Sequence, residues 1–188
     1  MNMSVLLEEV VLSQKERFAS RDPGTPRHVD FDRYMAHDRI VVVSGVRRSG
    51  KSTLLCQFAR RYEDSLYINF DDERLIDFSY GDFADLMVVF SKLSKARTIF
   101  IDEIQNVEKW ERFVRRIHDE GYKIFLTGSN AKLLSGELAT HLTGRYAKIE
   151  LYPFSFAETL DLKDIAHERI SASVKARLLG ELDRYLAS

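Results

Sequence analysis

Apolar residues along this chain fall into two periods, and the two alternate. From Val5 to Phe18 (VLLEEVVLSQKERF) they recur at helical spacing, which predicts an amphipathic helix with Leu6, Val10 and Phe18 turned inward. Ile40 to Val43 is instead an unbroken apolar run, the mark of a strand covered on both faces. Leu54, Leu55, Phe58 and Tyr62 return to helical spacing. Ser65 to Asp71 (SLYINFD) alternates and predicts a strand with unequal faces. Gly81 to Leu93 reads as a helix with Asp82 as N-cap and Phe83, Leu86, Met87 and Phe90 as its buried stripe. Ile99 to Ile101 and Lys123 to Thr127 are two further buried strands. Between them Asn106 stands where a cap is needed for a helix running to about Glu120, ended by Gly121, with Val107, Trp110, Phe113, Val114 and Ile117 as its core face. Glu108 with Arg112 and Glu111 with Arg115 have the spacing of ion pairs on its wet side. Tyr146 to Leu151 predicts a last strand and Phe154 to Leu160 a short helix. Ser171 to Ser188 is amphipathic through Val174, Leu178, Leu182 and Leu186.

Strands alternating with helices predict a three-layer α/β fold around a mainly parallel sheet of about five strands, with right-handed crossovers. Ligand chemistry in such folds gathers at the carboxyl ends of the strands. The stretch ASRDPGTPRHVD, with two of the three prolines, is a turn-rich connector. It separates a helix and linker over residues 1–30 from a core over 31–165. Arg21 and Arg27 lie in or beside it. They either approach a bound nucleotide base or stand as solvated linker charges, and the solvated reading is the simpler.

Composition narrows the class only a little. The chain has 188 residues, about one domain's worth. A net charge of -1 gives no support for a broad nucleic-acid-coating surface, and a local basic patch remains compatible with it. The single cysteine, Cys56, excludes an internal disulfide and a Cys-rich zinc site, and it reads as a core residue. The five histidines show no ligand spacing. No apolar run is long enough to span a bilayer, and no secretory signal is visible, so a cytoplasmic protein is the default expectation.

The chemistry concentrates after the first buried strand. Gly45 to Ser52 spells GVRRSGKS and fits G-x-x-x-x-G-K-[ST] at every fixed position. A loop of this kind wraps a triphosphate with inward-pointing backbone N–H groups, and glycine at 45 and 50 permits the φ angles and close approach. The nucleotide-contacting set is therefore Gly45, Val46, Arg47, Arg48, Ser49, Gly50, Lys51 and Ser52, with Thr53 following. Lys51 supplies a point charge for the outer phosphates and counts among the catalytic residues. The Ser52 hydroxyl suits Mg²⁺, and the helix that follows aims its positive end at the anion. The context agrees, since the loop leaves a buried strand and opens a helix.

About fifty residues on, TIFIDE ends a second buried strand in Asp102 and Glu103. Asp102 is placed to hold Mg²⁺ alongside Ser52, and Glu103 to act as general base on water. The next strand ends in Thr127, Gly128, Ser129 and Asn130. Thr127 and Ser129 are candidates to hydrogen-bond the γ-phosphate or the attacking water; the same small polar residues equally suit an N-cap for a helix over Ala131 to Leu134. Arg145 follows Gly144 just before the last strand, and either reaches a phosphate, its own or a neighbour's, or pairs with a nearby carboxylate. Asp71, Asp72 and Glu73 end the alternating strand and either help position water or metal or form an ordinary solvated turn. Leu133 to Glu137 (LLSGE) is no transporter-ATPase signature, because it follows the Asp-Glu strand instead of preceding it. No Asn-Lys-x-Asp element supports guanine.

GVRRSGKSTLL, YINFDDERL, IFIDEIQNVEKWE, FLTGSNAKLLS, LTGR and LYPFSFAE, in that order, resemble the AAA_14 family of AAA-type P-loop ATPases over roughly Ile40 to Glu158. The resemblance implies that the Asp-Glu strand lies beside the alternating strand, with the third buried strand between it and the P-loop strand. It also implies that similar proteins continue into a helical lid, which residues 166–188 would begin, and then into a DUF4143 domain. On that comparison this chain stops where the family proceeds to a Gly-Gly-Phe-Pro segment, so a fragment is expected. Two function classes follow: an ATPase using ATP and Mg²⁺, or a nucleotide-gated interaction module with little turnover that acts through a C-terminal domain, a partner or self-association.

Overall fold

Five buried strands and the helices between them assemble, in the computed structural model, into one parallel sheet covered on both faces. The structure describes residues 3–129, 142, 144–165 and 172–186. The strands are β1 (Ile40–Gly45), β2 (Leu66–Asn69), β3 (Thr98–Asp102), β4 (Lys123–Ser129) and β5 (Tyr146–Leu151). The helices are α1 (Met3–Ser20), α2 (Phe31–Ala36), α3 (Lys51–Ala59), α4 (Phe83–Leu93), α5 (Trp110–Asp119), α6 (Phe156–Leu162) and α7 (Ala172–Leu186). The strand order is β2-β3-β4-β1-β5, and every pairing is parallel. The third buried strand thus stands between the P-loop strand and the Asp-Glu strand, as the resemblance implies.

The period of two along the strands sorts the core into halves. Ile40, Val42, Ile99, Ile101, Ile124 and Leu126 face α1, α4 and α5. Val41, Val43, Phe100, Phe125, Ile149 and Leu151 face α3 and the linker before β1. In the second half the Phe100 and Phe125 rings stack with centroids 4.8 Å apart, and Phe58 of α3 closes on Phe125 at the same 4.8 Å. Helix α1 packs into the first half, so the segment before residue 30 shares one core with the sheet.

Several local expectations shift. The inner face of α1 is Leu7, Val10, Val11, Gln14 and Phe18, with Leu6 only partly buried. Gln14 has a specific task there. Its amide accepts from Asn69 N at 2.7 Å and donates to Asn69 O at 3.1 Å, so a side chain satisfies the free edge of β2 as another strand would. Helix α4 has Asp82 at its N-cap, as expected, but without a side-chain capping bond; Asp82 is instead boxed with Ser79, which caps the 3₁₀ turn before it, and Val89 is fully buried where Met87 is only partly so. Helix α5 begins at Trp110: Asn106 ends a separate 3₁₀ turn, with its Nδ2 donating to Phe70 O at 3.1 Å, and Lys109 adopts φ 59° before the helix. The ion pairs on α5 are correspondingly Arg115–Asp119 and Arg116–Glu120, and Glu111 is buried. Helix α6 starts two residues later than its apolar pattern suggests, capped by Ser155 with Glu158. The helix expected over Ala131 to Leu134, Asn130 and the LLSGE stretch lie outside the described residues.

Candidate functional site

The loop between β1 and α3 is shaped by two glycines for different reasons. A Cβ on Gly45 would stand 2.2 Å from Leu151 O and 2.8 Å from Ser49 Oγ, so the end of β5 presses directly on the loop's first residue. Gly50 has φ +91°, which side-chain-bearing residues rarely adopt. Arg48 also takes a left-handed φ, 65°, and strain of this kind gathers at ligand clamps. The side chains of Val46, Arg47 and Arg48 are exposed, leaving the backbone of the loop to make contacts, while Ser49 is buried with its hydroxyl unpartnered. Lys51 is buried too; its Nζ donates to Val46 O at 3.1 Å and Gly45 O at 3.3 Å, inside the loop's own curve. Ser52 and Thr53 stand half-buried in the first turn of α3. An ammonium, a helix N-terminus and a ring of amides converge here, which is the arrangement that receives phosphate.

Register brings the second group of residues to the same end of the sheet. Gly45 lies opposite Ser129, Val43 opposite Thr127, and Asn69 opposite Asp102. Asp102 is 2% exposed, and no Arg or Lys pairs with it among the described residues. Its Oδ1 accepts the Thr127 hydroxyl, and its Oδ2 accepts the Tyr67 hydroxyl at 3.3 Å. Burial, and then the Asp102 charge, push the Tyr67 phenol far up, so it stays a donor to the carboxylate at any working pH. Glu103 follows with φ 52° and ψ 44°. Its backbone N donates to Thr127 Oγ1 at 3.0 Å. The Glu103 carboxylate takes the Gln105 amide.

Both Asp102 oxygens accept hydroxyls and no cationic side chain meets them among the described residues, so Asp102 is the candidate metal ligand here. No group of three or more His, Cys, Asp or Glu side chains could hold one among the described residues. A single carboxylate such as Asp102 is compatible with Mg²⁺, which is commonly held by one or two carboxylates with phosphate and water oxygens completing the shell.

Not every expected residue joins this group. Thr127 is completely buried, and its hydroxyl is committed to Asp102 and to the backbone N of Glu103. The side chain of Ser129 lies outside the described residues. Arg145 is at the other end of the sheet: its carbonyl accepts from Ile40 N at 2.9 Å, at the start of β1, and its guanidinium pairs with Asp119. Five residues of strand, about 16 Å at 3.3 Å each, separate it from the P-loop of its own chain. Asp72 is bound by Arg74 and Gln14, whose hydrogen bonds hold its carboxyl well below the usual range, so this acidic turn is structural.

Arg27 is the main residue that sequence reasoning misses. It is no solvated linker charge: it is 8% exposed and donates to Ser49 O, within the phosphate loop, at 2.9 Å. Gln57 of α3 pins the surrounding linker by donating to Pro23 O and Thr25 O, each at 2.8 Å. The capping box Ser155-x-x-Glu158 is readable in the sequence, but nothing local says that its glutamate meets residue 27. Tyr67, Gln14 and Gln105 are missed for the same reason.

The chain matches the AAA_14 family, described as an AAA domain, over residues 37–160. An uncharacterized protein of Methanocaldococcus jannaschii is 38% identical over 185 residues, covering 97% of this chain and 41% of the relative. One from Haemophilus influenzae is 41% identical over 164 residues, covering 79% and 39%. The chain thus spans about 40% of the length of these curated relatives. Among solved structures, the Thermotoga maritima RuvB Holliday junction branch migration motor is similar at 18% identity and a TM-score of 0.46, over 86% of this chain and 48% of that one. PCH-2 of C. elegans is similar at 15% identity and a TM-score of 0.43, over 91% and 49%.

Proposed function

From the premise that the chain belongs to the AAA_14 family of AAA domains, we propose that it binds ATP with Mg²⁺ at the loop Gly45–Ser52 and hydrolyses it. The observation that carries this reading is that the buried Lys51 ammonium, the buried Asp102 carboxylate, which meets no Arg or Lys among the described residues, and Glu103 all lie at one end of the sheet. In this reading the backbone N–H groups of the loop bind the phosphates and Lys51 turns from Gly45 O and Val46 O to the outer ones. Ser52 and Asp102 would hold Mg²⁺, which supplies neutralising charge at the β- and γ-oxygens. Glu103 accepts a proton from the water that attacks in line. Thr127 and Tyr67 orient the Asp102 carboxylate, and Thr127 fixes the turn that carries Glu103.

Arg145 lies at the amino end of β5, about five residues of strand from the P-loop of its own chain, which favours the nucleotide of another copy over its own. We assign it to the nucleotide of a second copy, which makes self-association part of the function. A second reading, a nucleotide-gated module with little turnover, is favoured by one contact: Gln105 holds the Glu103 carboxylate that water would otherwise use. The proposed setting is the cytoplasm, with a lid beginning near α7 and a further C-terminal domain as partner. Among the described residues no helix is long and apolar enough to cross a membrane.

Thermal unfolding with and without MgATP tests the binding step. The wild-type chain should be stabilised through ligand linkage, by about 2.7 kcal/mol at a hundredfold excess over Kd. Lys51→Ala should lose that stabilisation. An equal shift in both proteins would place the nucleotide elsewhere.

A further inference from the structure

The phosphate loop is gripped from outside near both of its ends, by the last residue of β5 and by Arg27, which the segment after β5 holds in place. At the first end, Leu151 O occupies the space beside Gly45, where a Cβ would stand 2.2 Å away. At the second, Arg27 bridges. Its Nη1 donates to Ser49 O at 2.9 Å, its Nη2 to Tyr152 O at 2.8 Å, and its Nε to Glu158 Oε1 at 2.8 Å. Nη2 also reaches Glu158 Oε2 at 3.4 Å, giving the forked pairing that fixes a guanidinium in a plane. The same guanidinium lies over the Phe154 ring, 4.7 Å from its centroid. Glu158 is equally committed: it accepts from His28 N at 3.0 Å and from Ser155 N at 2.8 Å. Burial alone would push its carboxyl up, but these donors outweigh it and hold it down at about 2.

The grip continues outward. Tyr185 of α7 donates to Phe154 O at 3.0 Å, and its ring meets Phe156 with centroids 5.6 Å apart. Lys163, just past α6, pairs with Glu181 of α7. A continuous set of contacts therefore runs from the carbonyl of Ser49, through Arg27 and Phe154, to the helix at the far end of the described chain. A buried ion pair is an expensive way to hold a loop in place and often adds no net stability. Its planar, multiply bonded geometry does supply one fixed arrangement between two elements.

We infer that Arg27, locked by Glu158, is a positioning residue that couples the conformation of the phosphate loop to that of α7, so that occupation of the loop and the placement of α7 form one equilibrium. The inference rests on the nucleotide-binding reading above. The loop must adjust its carbonyls as Lys51 leaves them for a phosphate. Ser49 O is tied to Arg27, so the adjustment is passed to Tyr152, Phe154 and Glu158, and from them to α7. By linkage, a ligand or partner that favours one placement of α7 must change nucleotide affinity by the factor by which nucleotide changes the affinity of that ligand or partner.

Hydrogen–deuterium exchange of the 188-residue chain, with and without saturating Mg²⁺ and the non-hydrolysable analogue AMP-PNP, tests this. In the wild-type protein, amides of residues 45–52 should gain protection and those of α7 should change rate with them. Arg27→Lys keeps the charge without the fork, and Glu158→Gln keeps the shape without the charge. In either variant the analogue at saturation should still protect residues 45–52, while the response of α7 is lost. A response of α7 that survives in both variants overturns the inference. So does a wild-type protein protected at 45–52 with α7 unmoved. No protection at 45–52 in the wild type would instead overturn the nucleotide-binding reading itself.

Discussion

The Thr127 hydroxyl donates to Asp102 Oδ1 while accepting the backbone N–H of Glu103 at 3.0 Å, so one small side chain on β4 fixes both acidic residues at the end of β3. The two strands are neighbours in register, Ile101 opposite Leu126, which brings residue 127 level with the turn after Asp102. The hydroxyl is completely buried and serves at once as donor and acceptor.

Thr127→Val keeps the branched shape and removes both bonds. Asp102 then loses a donor, and the left-handed turn at Glu103 loses its anchor. Misplacing a catalytic group by about 1 Å costs on the order of 10²-fold. Phosphate release should slow by about that factor while nucleotide affinity changes little. An unaltered rate would mean that the Asp102–Glu103 turn holds its geometry without β4.

Gly45→Ala should destabilise the fold and not only impair binding. The added carbon meets a backbone oxygen of β5, which no side-chain rotation relieves. Overpacking of this kind costs about 3 kcal/mol, or roughly 6–12 °C in Tm for a chain of this size. A variant melting at the wild-type temperature would contradict the close approach of Leu151 to the loop.

The Arg27–Glu158 pair should leave a mark on acid stability. The Glu158 carboxyl is depressed from an ordinary 4.5 to about 2 in the folded chain. The unfolded chain therefore binds the proton first as pH falls, and the contribution, complete above about pH 4.5, is lost as pH approaches about 2. Its size is on the order of 3 kcal/mol. Glu158→Gln should lower Tm at pH 7 and show a shallower fall in Tm between pH 4.5 and 2.5 than the wild type. Parallel acid limbs in the two proteins would remove Glu158 from the account.

Arg145 tests whether the protein acts alone. An arginine delivered to the γ-phosphate accelerates hydrolysis by roughly 10³–10⁵-fold. With Arg145 at the amino end of β5, specific activity should climb with protein concentration, and mixing Arg145→Ala with Glu103→Gln protein should restore some activity. Flat specific activity with no rescue in the mixture would leave Arg145 as the structural partner of Asp119.

What the sequence reveals and what it hides divide along a physical line. The runs IVVV and TIFID give strand character and burial directly, because a strand covered on both faces has little choice but to be apolar throughout. Asp102 and Glu103 are legible at a strand end for the same reason. Thr127 is visible as a residue at a strand end, but its partners depend on which strand lies alongside, and a period of two does not encode that. Arg27 and Glu158 are 131 residues apart, and each alone reads as an ordinary surface charge. The helix start at Trp110 is hidden because Asn106, a good cap by its chemistry, falls in a 3₁₀ turn whose position is set by its amide donating to Phe70 O once β2 and β3 are paired.

Single-turnover release of phosphate from MgATP, wild type against Glu103→Gln, tests the central claim most directly. The glutamine keeps the shape and a hydrogen-bonding amide and removes the base. The account predicts that phosphate release falls by about 10²–10⁴-fold, the share of a positioned acid–base group, with nucleotide still bound. Release at the wild-type rate from Glu103→Gln would contradict it, because water would then be activated by some group other than the one at the end of β3.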